Sequence, residues 1–509
     1  MGVVRALGAS GVGVGGAGGA AMMNGPGVAQ GAGGAASAAS ASRRSEAGTR
    51  EAVEGGRPLS RFVALSVMRA LPRGLSEGAA RYGMVLGQAK LGAGDGRVVF
   101  QAVLPGMLPG MGGGRGGASP RPLDWMVELK PSMRARLRVC QRAFETQRWR
   151  AELRLWDRVD RPLSVARHMA IQAVDPSKFG TEGLIAHLGW VRVHVEDMVA
   201  MHHRYDFAAG IPVGDYLAHA CAWTGASTGE ALALVEPAST GAVGVTGEEV
   251  LRLAGVLRGS AAGVAALEKA GSAREVLTGL AGLPEAAGEA ARGHLEAVRF
   301  RCAGHDVSEP MGEEMPEMHV EALRRALEKA LGAAAEKERA ERERALRQRV
   351  PEAHRAGFDG LLQEARAMSR LREERAVFSV GWGMGLARRA VLEAGARLVR
   401  AGALEAAEHA VEMTLEEMAG RLRGGVGPDA AEVKRRVEAR AARVRAEAAR
   451  VPAGGWSAWG PAWMHVPLAP PPSAEALPAC VQRLARATQA LALATGVVGR
   501  GDGNRMVGK

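Results

Sequence analysis

Residues 317–351 read EMHVEALRRALEKALGAAAEKERAERERALRQRVP, and this stretch decides the fold class. Leu323, Leu327 and Leu331 recur every four residues, Glu338 precedes Arg342 by four, Glu343 precedes Arg347 by four, and Pro351 ends the pattern. A narrow apolar stripe with oppositely charged i,i+4 pairs is the signature of a helix that buries one edge and solvates the rest. The spacing predicts one long charged helix over 317–349. Downstream, Phe358, Leu361, Leu362 and Ala365 form the buried face of a second helix, and a third runs from about 386 to 400 with Gly402 placed as a left-handed cap. Thr414 and Glu417 then stand as a capping box with Met413 and Met418 as its staple, and a further helix is expected from about 429 to 450.

Upstream the same periodicity continues. Pro131 suits a first helical turn, after which Met133, Leu137, Cys140, Phe144, Ala151 and Leu155 are expected on one face, with Arg150, Arg154 and Arg158 opposite. Over 181–205, Leu184, Leu188, Val191, Val195 and Met198 share a side. His187, His194, His202 and His203 lie in that stretch, but their spacings do not stack two imidazoles as H-x-x-x-H would, so no metal site is expected. The β signal is confined to Gly94-Asp95-Gly96 followed by the alternating residues 97–103, a tight turn feeding a strand. The expected class is therefore mainly α: a multi-helix domain with one small β-hairpin near its N-terminal side.

Composition sets the outer limits. The 509 residues carry 66 Lys+Arg against 54 Asp+Glu, a net charge of +12, but only eight of those bases are lysine. With Asn at just two positions and Ile at three, the arginine excess fits a GC-rich coding sequence as well as a nucleic-acid footprint. Clustering is better evidence, and ten basic against four acidic residues between Lys130 and Arg161 supply half of the net charge. Cys140, Cys221, Cys302 and Cys480 are far apart and include no C-x-x-C pair, which argues against a zinc module or a disulfide scaffold. No run of 18 apolar residues occurs, so no membrane association is expected. Residues 1–56 are Gly/Ala/Ser-rich, with Glu46 the first acidic residue; they are expected to be disordered and are compatible with an organelle transit peptide. A globular part is expected over 57–470, in one piece or as two lobes (57–290 and 291–470), followed by a Pro-rich exit and tail over 471–509.

General catalytic motifs are missing: no Walker A sequence, no G-x-G-x-x-G between strand and helix, no G-x-S-x-G and no H-E-x-x-H. The order of several shorter patterns is more telling. Arg301-Cys302-Ala303-Gly304-His305-Asp306-Val307-Ser308-Glu309-Pro310 precedes the charged helix; Ala365-Arg366 and Arg372-Glu373-Glu374-Arg375-Ala376-Val377-Phe378 follow it; then come Arg400-Ala401-Gly402-Ala403-Leu404 and His409 to Met418. In this order they resemble the middle helical region of the phosphoenolpyruvate-utilising dikinases, the family of phosphoenolpyruvate synthase and rifampicin phosphotransferase. The resemblance is clearest over about 295–470 and extends back to about 57.

The resemblance implies the helical, acceptor-binding region of a phosphotransferase (kinase) that lacks the family's ATP-grasp and phosphohistidine domains. Such a chain would be inactive alone, as a fragment, a truncated gene product or a subunit that depends on those two domains supplied separately. No cofactor is implied for this chain; ATP or phosphoenolpyruvate and Mg would be needed only by a complete family member. Phosphoryl-contact candidates are Arg372, Glu373 and Arg375. Arg372 and Glu373 match the family's Arg-Glu pair, whereas its following Lys position holds Ala376, with Arg375 one place early. Arginine can neutralise a transferring phosphoryl group and glutamate can accept the acceptor hydroxyl's proton. His305, in the family's Gly-His turn, is the substrate-region candidate, with a structural hydrogen bond as its other role. The alternative class is a basic helical scaffold that binds RNA or acidic partners in an organelle, carried by the Lys130–Arg161 charge. Cytoplasm, plastid and mitochondrion all remain open as locations.

Overall fold

The computed structural model describes residues 59–83, 88–94, 97–103, 131–235, 244–331, 333–450 and 479–494, all within one compact unit spanning Glu51–Lys509. The expected N-terminal disordered segment, the Pro/Gly-rich loop over 105–122 and the tryptophan and proline run over 456–472 lie outside the described residues. Helix α1 is Arg61–Arg81. Gln88–Gly94 (β1) and Arg97–Val103 (β2) run antiparallel with Gln88 opposite Val103, but the turn between them is outside the described residues and the hairpin remains an expectation. The other elements among the described residues are helices: α2 Pro131–Glu145, α3 Arg148–Leu155, α4 Arg161–Gln172, α5 Thr181–Arg204, α6 Asp206–Thr224, α7 Thr228–Leu232, α8 Gly247–Arg258, α9 Ala261–Glu268, α10 Ala273–Ala281 and α11 Glu285–Val298. The C-terminal half adds α12 Pro316–Leu331, α13 Ala333–Arg349, α14 Arg355–Arg375, α15 Trp382–Arg400, α16 Leu415–Leu422, α17 Ala430–Arg450 and α18 Ala479–Ala494.

Two junctions are wider than α-helix. Trp156–Asp160 joins α3 to α4, and Ala376–Gly381 joins α14 to α15, each as a π turn, so that 355–400 is one nearly unbroken rod. A π turn replaces i→i−4 bonds by i→i−5 bonds and leaves carbonyls for donors from elsewhere in the fold.

The core falls into four clusters. The largest packs α1, α5 and α15 with Phe300–Met311 and Ala410–Met418; it draws on residues from Phe62 to Val433, so the expected division near residue 290 does not separate two cores. A second unites α6, α7, α13 and α14, and a third unites α8 to α12. The fourth gathers the end of α1 with α2, α3, α6, α14 and α18.

Many of the helical expectations hold locally. The α5 stripe Leu184, Leu188, Val191, Val195 and Met198 is buried throughout. Thr414 and Glu417 make the reciprocal capping box, with Met413 and Met418 buried beneath it, and Asp429 caps the helix that follows. The charged stretch is helical over Pro316–Leu331 and Ala333–Arg349, with residue 332 outside the described residues; Leu323 and Leu327 of α12 enter the third cluster and Leu346 of α13 enters the second. Three expectations need correcting. Within the charged stretch Glu338 pairs with Arg342 at 2.8 Å as expected, but the second expected pair does not form, since Arg347 bonds Asp359 at 2.8 Å and Glu343 takes Arg366 at 2.7 Å. The stripe expected from Met133 to Leu155 breaks at Gln147, whose left-handed φ of 48° resets the helical phase. Beyond it Trp149, Glu152 and Trp156 turn inward while Ala151 is exposed. Within the expected tail, Ala479–Ala494 is a helix packed on α6 and α2.

Candidate functional site

The expected site residues converge on the π turn that joins α14 to α15. Three carbonyls at this turn accept donors from distant segments. Arg375 O accepts the Ser379 hydroxyl and, at 3.4 Å, His202 Nδ1–H; Phe378 O accepts His168 Nε2–H at 3.1 Å; Gly381 O accepts the Cys302 amide at 2.9 Å. A carbonyl only accepts, so His168 carries its proton on Nε2 and its Nδ1 must accept. His194 Nε2 donates to that Nδ1 at 2.9 Å, and the His168 ring lies stacked on Trp382 with centroids 4.9 Å apart. Burial, then mutual repulsion, drives the His168 pKa far below its ordinary value, and burial brings His194 down to about 4, so both are neutral at physiological pH.

Arg375 turns away from solvent. Its Nη1 donates to His202 O at 2.6 Å and pairs with Asp206, whose other oxygen accepts His203 Nδ1–H at 2.8 Å. The Arg301–Pro310 turn closes over this group. His305 lies with its ring 5.4 Å from that of His202, and burial lowers its pKa to about 4. The turn can come this near because residue 385 is glycine: a Cβ there would lie 1.7 Å from Phe300 O. Arg301, 2% exposed, reaches back to Glu249 at 2.9 Å and lies over the rings of Phe378 and Trp382 at 4.9 and 4.6 Å.

Arg372 and Glu373 point to another neighbour. Arg372 is buried, and Glu373 Oε1 accepts the Gly247 amide at 2.7 Å, placing a carboxylate at the N-terminus of α8 beside that helix's own Thr246–Glu249 capping box. Burial raises the Glu373 pKa; the Gly247 amide and Arg372 oppose the rise. Neither residue is the solvent-facing helix charge that its sequence neighbourhood would allow. The fold thus groups Arg375 with His305, and Arg372 with Glu373, on successive faces of one helix end.

Sequence reasoning missed His168, Asp206 and Glu374. Glu374 links the two π turns: its carboxylate accepts Trp156 Nε1–H at 2.8 Å, Arg161 at 3.2 Å and Arg370 at 2.8 Å. Asp160, in the other π turn, takes Tyr205 and Arg204. Apart from Arg370, one helical turn before Glu374, these partners lie more than forty residues away and have no local spacing to betray them. They also absorb part of the basic stretch 130–161, where Arg148 pairs with Glu152, Arg150 with Glu364 and Arg161 with Glu374.

Among the described residues, His202, His203 and Asp206 are near enough to share an ion. The carboxylate, however, is already committed to Arg375 and His203, and a dication there would face the guanidinium at close range. The group reads as a neutral and ion-paired network. A cavity of about 540 Å³ lies elsewhere, between α10, α11 and α12, lined by Leu277, Ala281, Arg292, Leu295, Arg299 and His319, and none of the expected residues borders it. Compared with known proteins, the sequence matches no family model and no curated protein.

Proposed function

We propose that the chain is the helical, acceptor-binding part of a phosphotransfer system of the phosphoenolpyruvate-utilising dikinase type, supplied with its phosphoryl group by a phosphohistidine on a separate domain. The observation that supports this reading is convergence. The Arg301–Pro310 turn and the Arg372–Phe378 segment, which carry the resemblance, pack against each other through the Cys302–Gly381 hydrogen bond and the Arg301 guanidinium over Phe378. In this reading Arg372, beside the N-terminus of α8, supplies positive potential to a transferring phosphoryl group, and Glu373, with its raised pKa, receives the proton of the acceptor hydroxyl. His305, neutral and partly exposed, orients the acceptor.

The test is a reconstitution. With ATP or phosphoenolpyruvate, Mg²⁺ and a panel of hydroxyl acceptors, the chain alone should transfer nothing; with ATP-grasp and phosphohistidine domains added in trans, an acceptor should be phosphorylated. Glu373→Gln should then lower kcat/KM by roughly 2 to 4 kcal/mol of transition-state stabilisation while thermal unfolding stays in place. Turnover by the chain alone, or none after the domains are added, would defeat the reading. RNA binding that weakens steeply with salt, in place of transfer, would favour the basic scaffold.

A further inference from the structure

Cys140 and Cys480 are 340 positions apart in sequence, yet α2 and α18 pack side by side and bring both into the fourth core cluster. Cys140 is buried at 1% exposure; Cys480 is half-buried, in the first turn of α18. One turn further along both helices, the Arg483 guanidinium lies over the Phe144 ring at 4.9 Å, while its Nε and Nη2 grip the Asp215 carboxylate of α6. The register of the two helices is thereby fixed at the level of the sulfurs. No disulfide ties α18 to the helices it packs on, since all four cysteines are free.

We propose that Cys140 and Cys480 are a thiol–disulfide modification site, whose oxidation by a low-molecular-weight disulfide such as glutathione disulfide bolts α18 onto the helical body. This does not rest on the phosphotransfer reading. The chemistry divides between the two sulfurs. Cys480 is the accessible one, half-buried in the first turn of α18. Cys140 donates its S–H to the Cys480 sulfur, and that bond together with burial raises the pKa of Cys140, which leaves Cys480 to react first. The Cys480 thiolate attacks one sulfur of glutathione disulfide: the glutathione S–S bond breaks, a Cys480–glutathione bond forms, and the departing thiolate takes up the proton that Cys480 shed. Cys140 then gives up its proton and attacks Cys480. The second glutathione leaves as a thiol, and both electrons lost by the two cysteines reside in two glutathione molecules. Closing the bond requires the sulfurs to approach to about 2.0 Å. Cys221 and Cys302 have no such partner among the cysteines: Cys302 is sealed in the first cluster and Cys221 borders the second.

The experiment uses the full-length protein, reduced and then equilibrated with glutathione disulfide. The four free thiols should fall to two. Mass spectrometry of a non-reduced digest should find the Cys140 peptide joined to the Cys480 peptide within one chain, and dithiothreitol should restore four thiols. Amide exchange in 479–494 should slow by about tenfold or more on oxidation, because the helix can then open only with its body. Cys480→Ser, at a half-exposed position, should fold normally, keep three thiols and show neither change. A glutathione adduct that persists on Cys480 beside a free Cys140, a bond between two chains, or an unchanged thiol count would overturn the proposal.

Discussion

Asp206 concentrates the residue-scale physics of the site. It follows Tyr205 at the break between α5 and α6, where Arg375, His203 and the His202 carbonyl all come within hydrogen-bonding reach. Burial alone would push its carboxyl pKa up, yet Arg375 and His203 together hold it below the ordinary carboxylate range, so the attraction outweighs the desolvation. Removing one partner of such a pair strands the other. Asp206→Asn should therefore lower unfolding free energy by about 3 to 5 kcal/mol, read by urea denaturation. The double variant Asp206→Asn with Arg375→Met should recover most of that loss, since it leaves no buried charge uncompensated. If both variants lost the same amount, the pair would not be the source of the effect.

At the scale of elements, the rods 148–172 and 355–400 matter most, because each carries a π turn and Glu374 ties the two together. The sequence makes the helices themselves legible: the α5 stripe, the Thr414 capping box and the burial of Phe358 and Leu362 all follow from 3.6-residue spacing. It does not make the π turns legible. Val377, Phe378 and Val380 continue the apolar run of the helix, and the widening is stabilised by donors from distant segments, His168, His202 and Cys302. Nor does spacing show why α18 should dock, since its seat is a gap left by a glycine in another helix. A Cβ on Gly214 of α6 would lie 2.0 Å from Ala487 O. Gly→Ala inside a helix is worth about 1 kcal/mol in its favour, but here the intruding carbon meets backbone, which cannot rotate aside as a side chain can. Overpacking of this kind costs about 1 to 3 kcal/mol, so the contact wins. Gly214→Ala should thus release α18: hydrogen exchange over 479–494 should speed up while α5 keeps its protection. Unchanged exchange in α18 would mean that the helix is held by Arg483–Asp215 alone.

For the whole molecule, the buried histidines set the response to acid. His168, His194, His202, His294 and His305 are all driven down chiefly by burial, three of them to about 4. A histidine whose folded pKa is depressed costs nothing above the unfolded value near 6.5, where both states are neutral. As the pH falls below that, the unfolded chain takes up protons that the fold refuses, and each such histidine removes up to about 1.4 kcal/mol per pH unit until the folded group titrates as well. Glu412 acts in the opposite direction. Burial raises its pKa to about 7, so its ionisation weakens the fold as pH rises from the ordinary glutamate range through 7, and acid relieves that one cost. With His187 and His319, also lowered chiefly by burial, the histidines outnumber the carboxyls that burial raises, Glu152, Glu373 and Glu412, so the balance in acid is a net loss of stability. Unfolding free energy should hence peak near or above pH 6.5 and fall between pH 6 and 5, well above the range in which carboxylates ordinarily protonate. Urea titrations at half-unit pH steps measure the curve directly, and His194→Gln, which keeps a donor for His168 without a titrating ring, should make its acid limb shallower. A stability that stayed level down to pH 4.5 would show that these imidazoles become charged inside the fold at little cost, and the neutral relay from His194 through His168 to the π turn would then be wrong.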